Sequence, residues 1–397
     1  MDFTFTEEQQ AAVEAARAIF SDVAPDGAPS PALTPGAVAE DIDRQLWHEL
    51  ARTDLLGLTL SPDHGGAGLD PIALCLVLRE SAKVLARVPL LESCAVATAI
   101  ERYGDRTLAA ELLPRAGRGE LILTVGANGR SGHDPAELAV SARPYGAGDG
   151  ASEGAGEGEA DGSAGGSGWV LDGVQSAVPW AQAADWIAVP AHTASGRPVL
   201  ALVPRTRDGV TLADQVSTNG ERLAEVRLDA VRVEARELID AAGCWDWLRS
   251  LLTTGTCALA LGLGERVLAM TAEYTGKREQ FGFPVATFQA VAVQAADRYI
   301  DLRAMEATLW QAAWRISTDT GGPLPAAGDV AVAKIWASDG VRRVVQTAQH
   351  LHGGFGADTD YPLHRYHAWA KQIELSLDPA AAHEEALGDL LAAHPLG

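Results

Sequence analysis

Arg278-Glu279-Gln280-Phe281-Gly282, followed by Phe288-Gln289, sets a permanently charged guanidinium in a short polar and aromatic stretch. A guanidinium presents a rigid fork of N–H donors that matches phosphate oxygens. About 70 residues on, in the same alanine-rich half of the chain, Leu351-His352-Gly353-Gly354-Phe355-Gly356 supplies a glycine pair. With no Cβ in the way, backbone amides at such a pair can come close to an anion. Either stretch alone reads as a capped helix end. Together, at this spacing, they read as a site for a dinucleotide diphosphate held between helices.

The elements that must carry these stretches follow from periodicity and turn residues. Residues 1–120 are expected to be helical: apolar residues recur at helical spacing through 72–78 and 107–113, and Pro25, Pro29, Pro31 and Pro35 mark an early loop. Residues 121–237 change to strand-length apolar runs bounded by turns, such as 186–190 and 199–204, and are expected to form a β-domain. Within it, Gly146 to Gly168 consists almost entirely of Gly, Ala, Ser, Asp and Glu, with five acids and no base. That segment has no apolar area to bury and reads as a mobile hairpin insertion. Residues 238–397 return to helix, with periodic segments at 245–275, 285–317, 328–351 and 380–393.

Composition limits the chemistry. The chain of 397 residues is nearly half apolar and long enough for two or three cores. Its net charge of −22 argues against nucleic acid and anionic membrane surfaces as partners. Cys75, Cys94, Cys244 and Cys257 lie far apart in mostly apolar surroundings and read as free buried thiols of a cytoplasmic protein. No signal peptide is read at the start, and no apolar run is taken for a membrane span. Gly262 and Gly264 lie inside a helical run, follow no strand and lack a third glycine, so they read as close-packing positions rather than a nucleotide fingerprint. His350, His352, His364, His367 and His383 cluster in sequence without the converging acids or thiolates of a metal centre, and none is expected.

These stretches also carry a resemblance. The opening Met1-Asp2-Phe3-Thr4-Phe5-Thr6-Glu7-Glu8-Gln9, the loop His64-Gly65-Gly66-Ala67-Gly68-Leu69-Asp70, the run Trp169-Val170-Leu171-Asp172-Gly173 and residues 224–233 are similar to the acyl-CoA dehydrogenases, over nearly the whole chain. The resemblance implies a mainly α, α+β fold: an N-terminal helical domain, a central β-domain and a C-terminal four-helix bundle. It implies FAD as cofactor, an acyl-CoA or acyl-carrier-protein thioester as substrate, and an electron-transfer flavoprotein as electron acceptor. It also implies a dimer or tetramer of like or unlike chains. Arg278, Phe281 and Gln289 are then expected on the ADP half of FAD, with Gly353 and Gly354 reaching it from another subunit and His350 standing where the family often has Gln.

The flavin-ring side departs from the family. Leu123-Thr124-Val125 keeps a threonine for the ring but loses the acid that commonly follows. Where the family commonly reads Trp-Ile-Thr-Asn, this chain reads Ala177-Val178-Pro179-Trp180, and Trp180 is left to refill the space. The α-proton of the thioester needs a base, and a carboxylate in an apolar site suits that task. The usual position is Leu377, and the position used by other members falls near Leu252, with no acid from Arg249 to Gly264. Asp378, one residue on, and Glu374, almost a helical turn back, are the nearest substitutes. Three readings follow: an active dehydrogenase with a displaced base; a non-catalytic chain that completes a homologue's FAD site, as in some paired actinobacterial members; or a flavin oxidase or monooxygenase on the same fold.

Overall fold

The computed structural model describes residues 4–31, 33–130, 138–145, 168–318 and 321–395. The insertion expected from residue 146 onward lies, up to residue 167, outside the described residues. The described chain runs helices, then strands, then helices.

Five helices come first: α1 (Glu7–Phe20), α2 (Arg44–Arg52), α3 (Pro71–Ala82), α4 (Leu90–Tyr103) and α5 (Arg106–Gly117). Side chains that take up free amides fix most of their starts. Thr6 and Gln9 cap α1 reciprocally, and Asp43, Asp70 and Asp105 accept from first-turn N–H groups of α2, α3 and α5. α4 is the exception, entered from Pro89 without a side-chain cap. Both α3 and α4 are buried over most of their circumference.

The strands are β1 (Leu123–Val125), β2 (Val140–Tyr145), β3 (Gly168–Pro179), β4 (Trp186–His192), β5 (Pro198–Pro204), β6 (Val210–Val216), β7 (Arg222–Glu234) and β8 (Leu238–Ile239). They form one sheet in the order β6-β7-β3-β2-β4-β5-β8, with β1 added in parallel to β4. One face builds its own apolar core from Val140, Leu171, Ile187, Val189 and Val231. The long antiparallel pair β3–β7 slips register between Gln175 and Val178, and within that slip Ala177 adopts a left-handed φ of 51°. Such a bulge bends the strand end and re-aims its side chains.

The third part holds α6 (Cys244–Lys277), a hairpin of β9 (Glu279–Gln280) and β10 (Phe283–Pro284), then α7 (Gln289–Thr318), α8 (Ala326–His352), α9 (Leu363–Leu375) and α10 (Ala380–Ala393). α6 runs through the middle, packed by α3, α4, α7, α8 and α9. Length and composition alone would let it cross a membrane, yet 78% of its most apolar window is buried inside the fold. It is the core helix. A Cβ at Gly262 would run into the backbone carbonyl of Arg79, so glycine lets α6 lie directly on α3. All four cysteines are free and buried.

Lys334 of α8 fixes the far end of α9. Its buried ammonium donates to the carbonyls of Glu374 (3.0 Å) and Ile373 (3.3 Å) and to Ser338 Oγ (2.8 Å). These bonds satisfy carbonyls that the helix end leaves without partners. Directly beyond, Leu377 and Asp378 both take left-handed backbone angles, φ 54° and 75°, and reverse the chain into α10.

Candidate active site

A cavity of about 330 Å³ opens between α3, α4, α6, α9 and the ends of β1 and β3. Its wall is largely apolar: Leu78, Leu91, Val125, Leu252 and Leu377 all face it. Leu377 and Leu252, the two positions where the resemblance puts a base, therefore share one cavity, and neither side chain can accept a proton. Leu377 is held from behind, since His383 Nε2 donates to its carbonyl at 2.8 Å.

Neither substitute acid reaches this wall. Asp378 turns away and pairs with Arg249 of α6. Glu374 is held by Lys371 at 3.1 Å and lies 3.9 Å from Arg342. The expectation that either would share a face with position 377 assumed an unbroken helix. α9 stops at Leu375, and the two left-handed residues that follow rotate Asp378 out of the cavity.

The ring-side strand end is closed by internal bonds. Thr124, fully buried, donates its hydroxyl proton to the carbonyl of Pro179 at 2.6 Å. A hydroxyl has one proton, so the donor expected for the flavin ring is already used. Asn128 donates to the carbonyl of Ala177 at 3.2 Å. Trp180, at a left-handed φ of 58°, lines the cavity together with Glu92, whose charged form its indole N–H favours.

Glu92 is the residue that the sequence reading did not single out. It sits in the first turn of α4, lines the cavity and is only partly accessible. Burial pushes its carboxyl up to about 7, against hydrogen bonds from its own backbone N–H and from Trp180 that favour the charged form. A signal was present: Ala95, Val96 and Ala99, three, four and seven residues on, are all buried, so the acid falls on an apolar helix face. The other carboxylate on the wall, Glu221, is held by Arg87 at 2.6 Å.

The diphosphate candidates lie elsewhere. Arg278 ends α6 and is exposed, in no ion pair among the described residues. Phe281 and Gly282, both at positive φ (55° and 81°), form the two-residue turn of the β9–β10 hairpin. Phe281 is 90% exposed, Phe283 is 61% exposed, and Gln289 at the start of α7 is also exposed. The Gly353-Gly354 turn sits at the same end, because Tyr274, one turn before Arg278, stacks on His352 at 4.4 Å and on Phe355 at 5.2 Å. His350 is exposed beside it. A Cβ built on Gly353 or Gly354 would meet nothing within 4 Å, so the space above both is open.

This end fits an FAD diphosphate: a free guanidinium beside an open glycine turn. The cavity wall fits the flavin ring less well, with Thr124 spent and no N–H at Pro179. One donor on that wall is unspent, for the indole N–H of Trp369 is buried without a protein partner.

Comparison with known proteins gives a consistent picture. The profile for the acyl-CoA dehydrogenase N-terminal domain matches residues 6–120, and that for the C-terminal domain matches residues 252–375. The chain is 36% identical over 358 residues to acyl-CoA dehydrogenase FadE27 of Mycobacterium tuberculosis, covering 89% of each. Among solved structures, the ChsE4-ChsE5 complex from Mycobacterium tuberculosis has a chain that is 34% identical, with a TM-score of 0.86 and complete coverage of both chains. A variant of the Tcur3481-Tcur3483 steroid ACAD is 36% identical over 98% of each chain, with a TM-score of 0.84.

Proposed function

The chain belongs to the acyl-CoA dehydrogenase family, and from that premise we propose that it works as one subunit of a heteromeric FAD-dependent acyl-CoA dehydrogenase. In this reading Arg278, Phe281 and Gln289 hold the diphosphate half of an FAD whose ring lies in the neighbouring chain, with His350 and the Gly353-Gly354 turn bordering it. FAD, when bound, supplies the two-electron acceptor for Cβ of the acyl thioester. The observation that carries the reading is a separation. The residues suited to the diphosphate stand exposed at one end, none of them lines this chain's own cavity, and that cavity has leucine at the usual base position.

The acyl group we propose is bulky and steroid-derived. The support is the 36% identity to a steroid ACAD, together with a mainly apolar cavity. An electron-transfer flavoprotein as acceptor and a cytoplasmic location belong to the same proposal. Four free buried thiols support the latter.

Flavin counting tests the reading. The chain is purified alone and with a co-expressed homologue, and FAD is released and measured per chain. We expect FAD to be retained in the pair only. Arg278→Ala in the pair removes charge-assisted bonds of about 2–3 kcal/mol, which weakens FAD about 30- to 150-fold. One FAD per chain in the isolated protein, bleached by acyl-CoA, would overturn the heteromeric reading. Unchanged flavin content in the variant would remove the diphosphate assignment.

A further inference from the structure

We propose that Glu92 is the proton acceptor of this chain's own cavity, taking the α-proton of a bound acyl thioester. The inference rests on the acyl-CoA dehydrogenase reading but not on the heteromeric one.

The geometry selects Glu92 by position and by the state of its neighbours. The cavity wall carries two carboxylates, and Glu221 is ion-paired with Arg87. Among the described residues Glu92 is in no ion pair, although Arg222 lines the same cavity; its charged form is favoured by the Trp180 indole and its own backbone N–H. A carboxylate offers about four lone-pair sites, so those two bonds orient the group and leave acceptor capacity for a ligand. Its place in the first turn of an uncapped helix puts free amide dipoles behind it, which favours the anion. Leu91, Leu252 and Leu377 line the same cavity, and a poorly solvated carboxylate is the stronger base.

Trp180 follows Pro179 at the end of β3, and Trp180, Glu92, Leu377 and Leu252 all face the same space. Glu92 therefore lies in the cavity that holds both vacant base positions. The step is an enolisation. The α-C–H bond breaks, its proton forms an O–H bond on Glu92, and its electron pair forms a C=C bond as the charge moves to the thioester oxygen. The reverse step returns a proton to the α-carbon, so exchange with solvent can be followed without any oxidation.

The experiment is α-hydrogen exchange on the full chain. Where the chain is obtained only with a second chain, that chain's own base is first changed to Gln. Octanoyl-CoA and cholanoyl-CoA labelled with deuterium at the α-carbon are incubated with FAD-loaded protein in ordinary water, and loss of label is read by mass spectrometry. We expect exchange that rises with pH through about 7 as the carboxylate forms. Glu92→Gln lowers it at least about 100-fold, with flavin content and assembly unchanged. Adding Leu377→Glu to that variant restores exchange by putting a carboxylate back on the same wall. Exchange in Glu92→Gln within threefold of wild type, or none in wild type, overturns the proposal. So does a Glu92→Gln protein that loses flavin or falls apart, since that marks a structural role. Arg278→Ala separates the two readings: it addresses flavin content and leaves the carboxylate in place.

Discussion

Glu92→Gln gives a stability test that needs neither substrate nor partner. The amide is close in shape to the carboxylate, and its carbonyl can still accept from Trp180. What it removes is the titration. The carboxyl is raised from an ordinary 4.5 to about 7 by burial, so between those values the folded chain holds a proton that the unfolded chain has released. Stability therefore falls as pH rises through that window, and the loss is complete above about 7. At 1.36 kcal/mol per pH unit the full effect is about 3 kcal/mol, of which about 2.5 kcal/mol falls between pH 5 and pH 8. For a chain of this length that corresponds to about 3 °C in Tm. The assay is calorimetry of both proteins at pH 5 and pH 8. Every other titrating group is common to the two, so the difference between their pH responses isolates Glu92. We expect wild type to lose about 3 °C more than the variant on going to pH 8. Parallel responses would show that the carboxylate is well solvated, which would refute the account of its raised basicity.

Three further outcomes follow. Trp180→Phe removes the N–H that stabilises the Glu92 anion, so the pH midpoint of wild-type stability loss, followed by the same calorimetry, should move upward; a downward move would put the bond on the neutral form. Gly262→Ala forces a Cβ into the Arg79 carbonyl and should cost about 3 kcal/mol in chemical unfolding, whereas at Gly264 the Cβ would meet Leu302 Cδ2 at 2.8 Å, which can yield, at about 1 kcal/mol; equal costs would deny the α3–α6 contact. Lys334 is held down to about 8 by burial, so below its ordinary 10.5 the unfolded chain binds the extra proton and stability rises between pH 8 and pH 10 by about 2 kcal/mol. Lys334→Met should lack that rise, and its persistence in the variant would assign the rise to another group.

The order of elements was legible because long apolar periodicities survive any detail of packing. The segment read as 245–275 is α6, Cys244–Lys277, and the one read as 328–351 is α8, Ala326–His352. The exposed Arg278 and the open Gly353-Gly354 turn were legible too, since arginine and glycine announce a charge and a turn by residue type alone. Position along a broken helix was not. Placing Glu374 and Asp378 beside 377 required 374–378 to keep helical φ, and the two left-handed residues come with no glycine to signal them. Thr124 looked available because residue type shows a hydroxyl but not its nearest acceptor.

The two ends of the molecule differ in how their polar groups are satisfied. At the cavity wall the strand-end carbonyls are paired internally: that of Pro179 receives Thr124 and that of Ala177 receives Asn128. Buried polar groups without partners are costly, and these internal bonds keep the wall's carbonyls satisfied without a ligand. At the hairpin end, by contrast, Arg278 is in no ion pair among the described residues, Phe281 stands in solvent, and the glycine turn is open. An exposed aromatic held at positive φ is a strained arrangement for a free surface and a reasonable one for a surface that another molecule covers. The wall is self-sufficient and the hairpin is not. That asymmetry fits the proposed role of this chain at the diphosphate half of a shared site, and among the described residues it leaves Glu92 as the cavity-wall carboxylate in no ion pair.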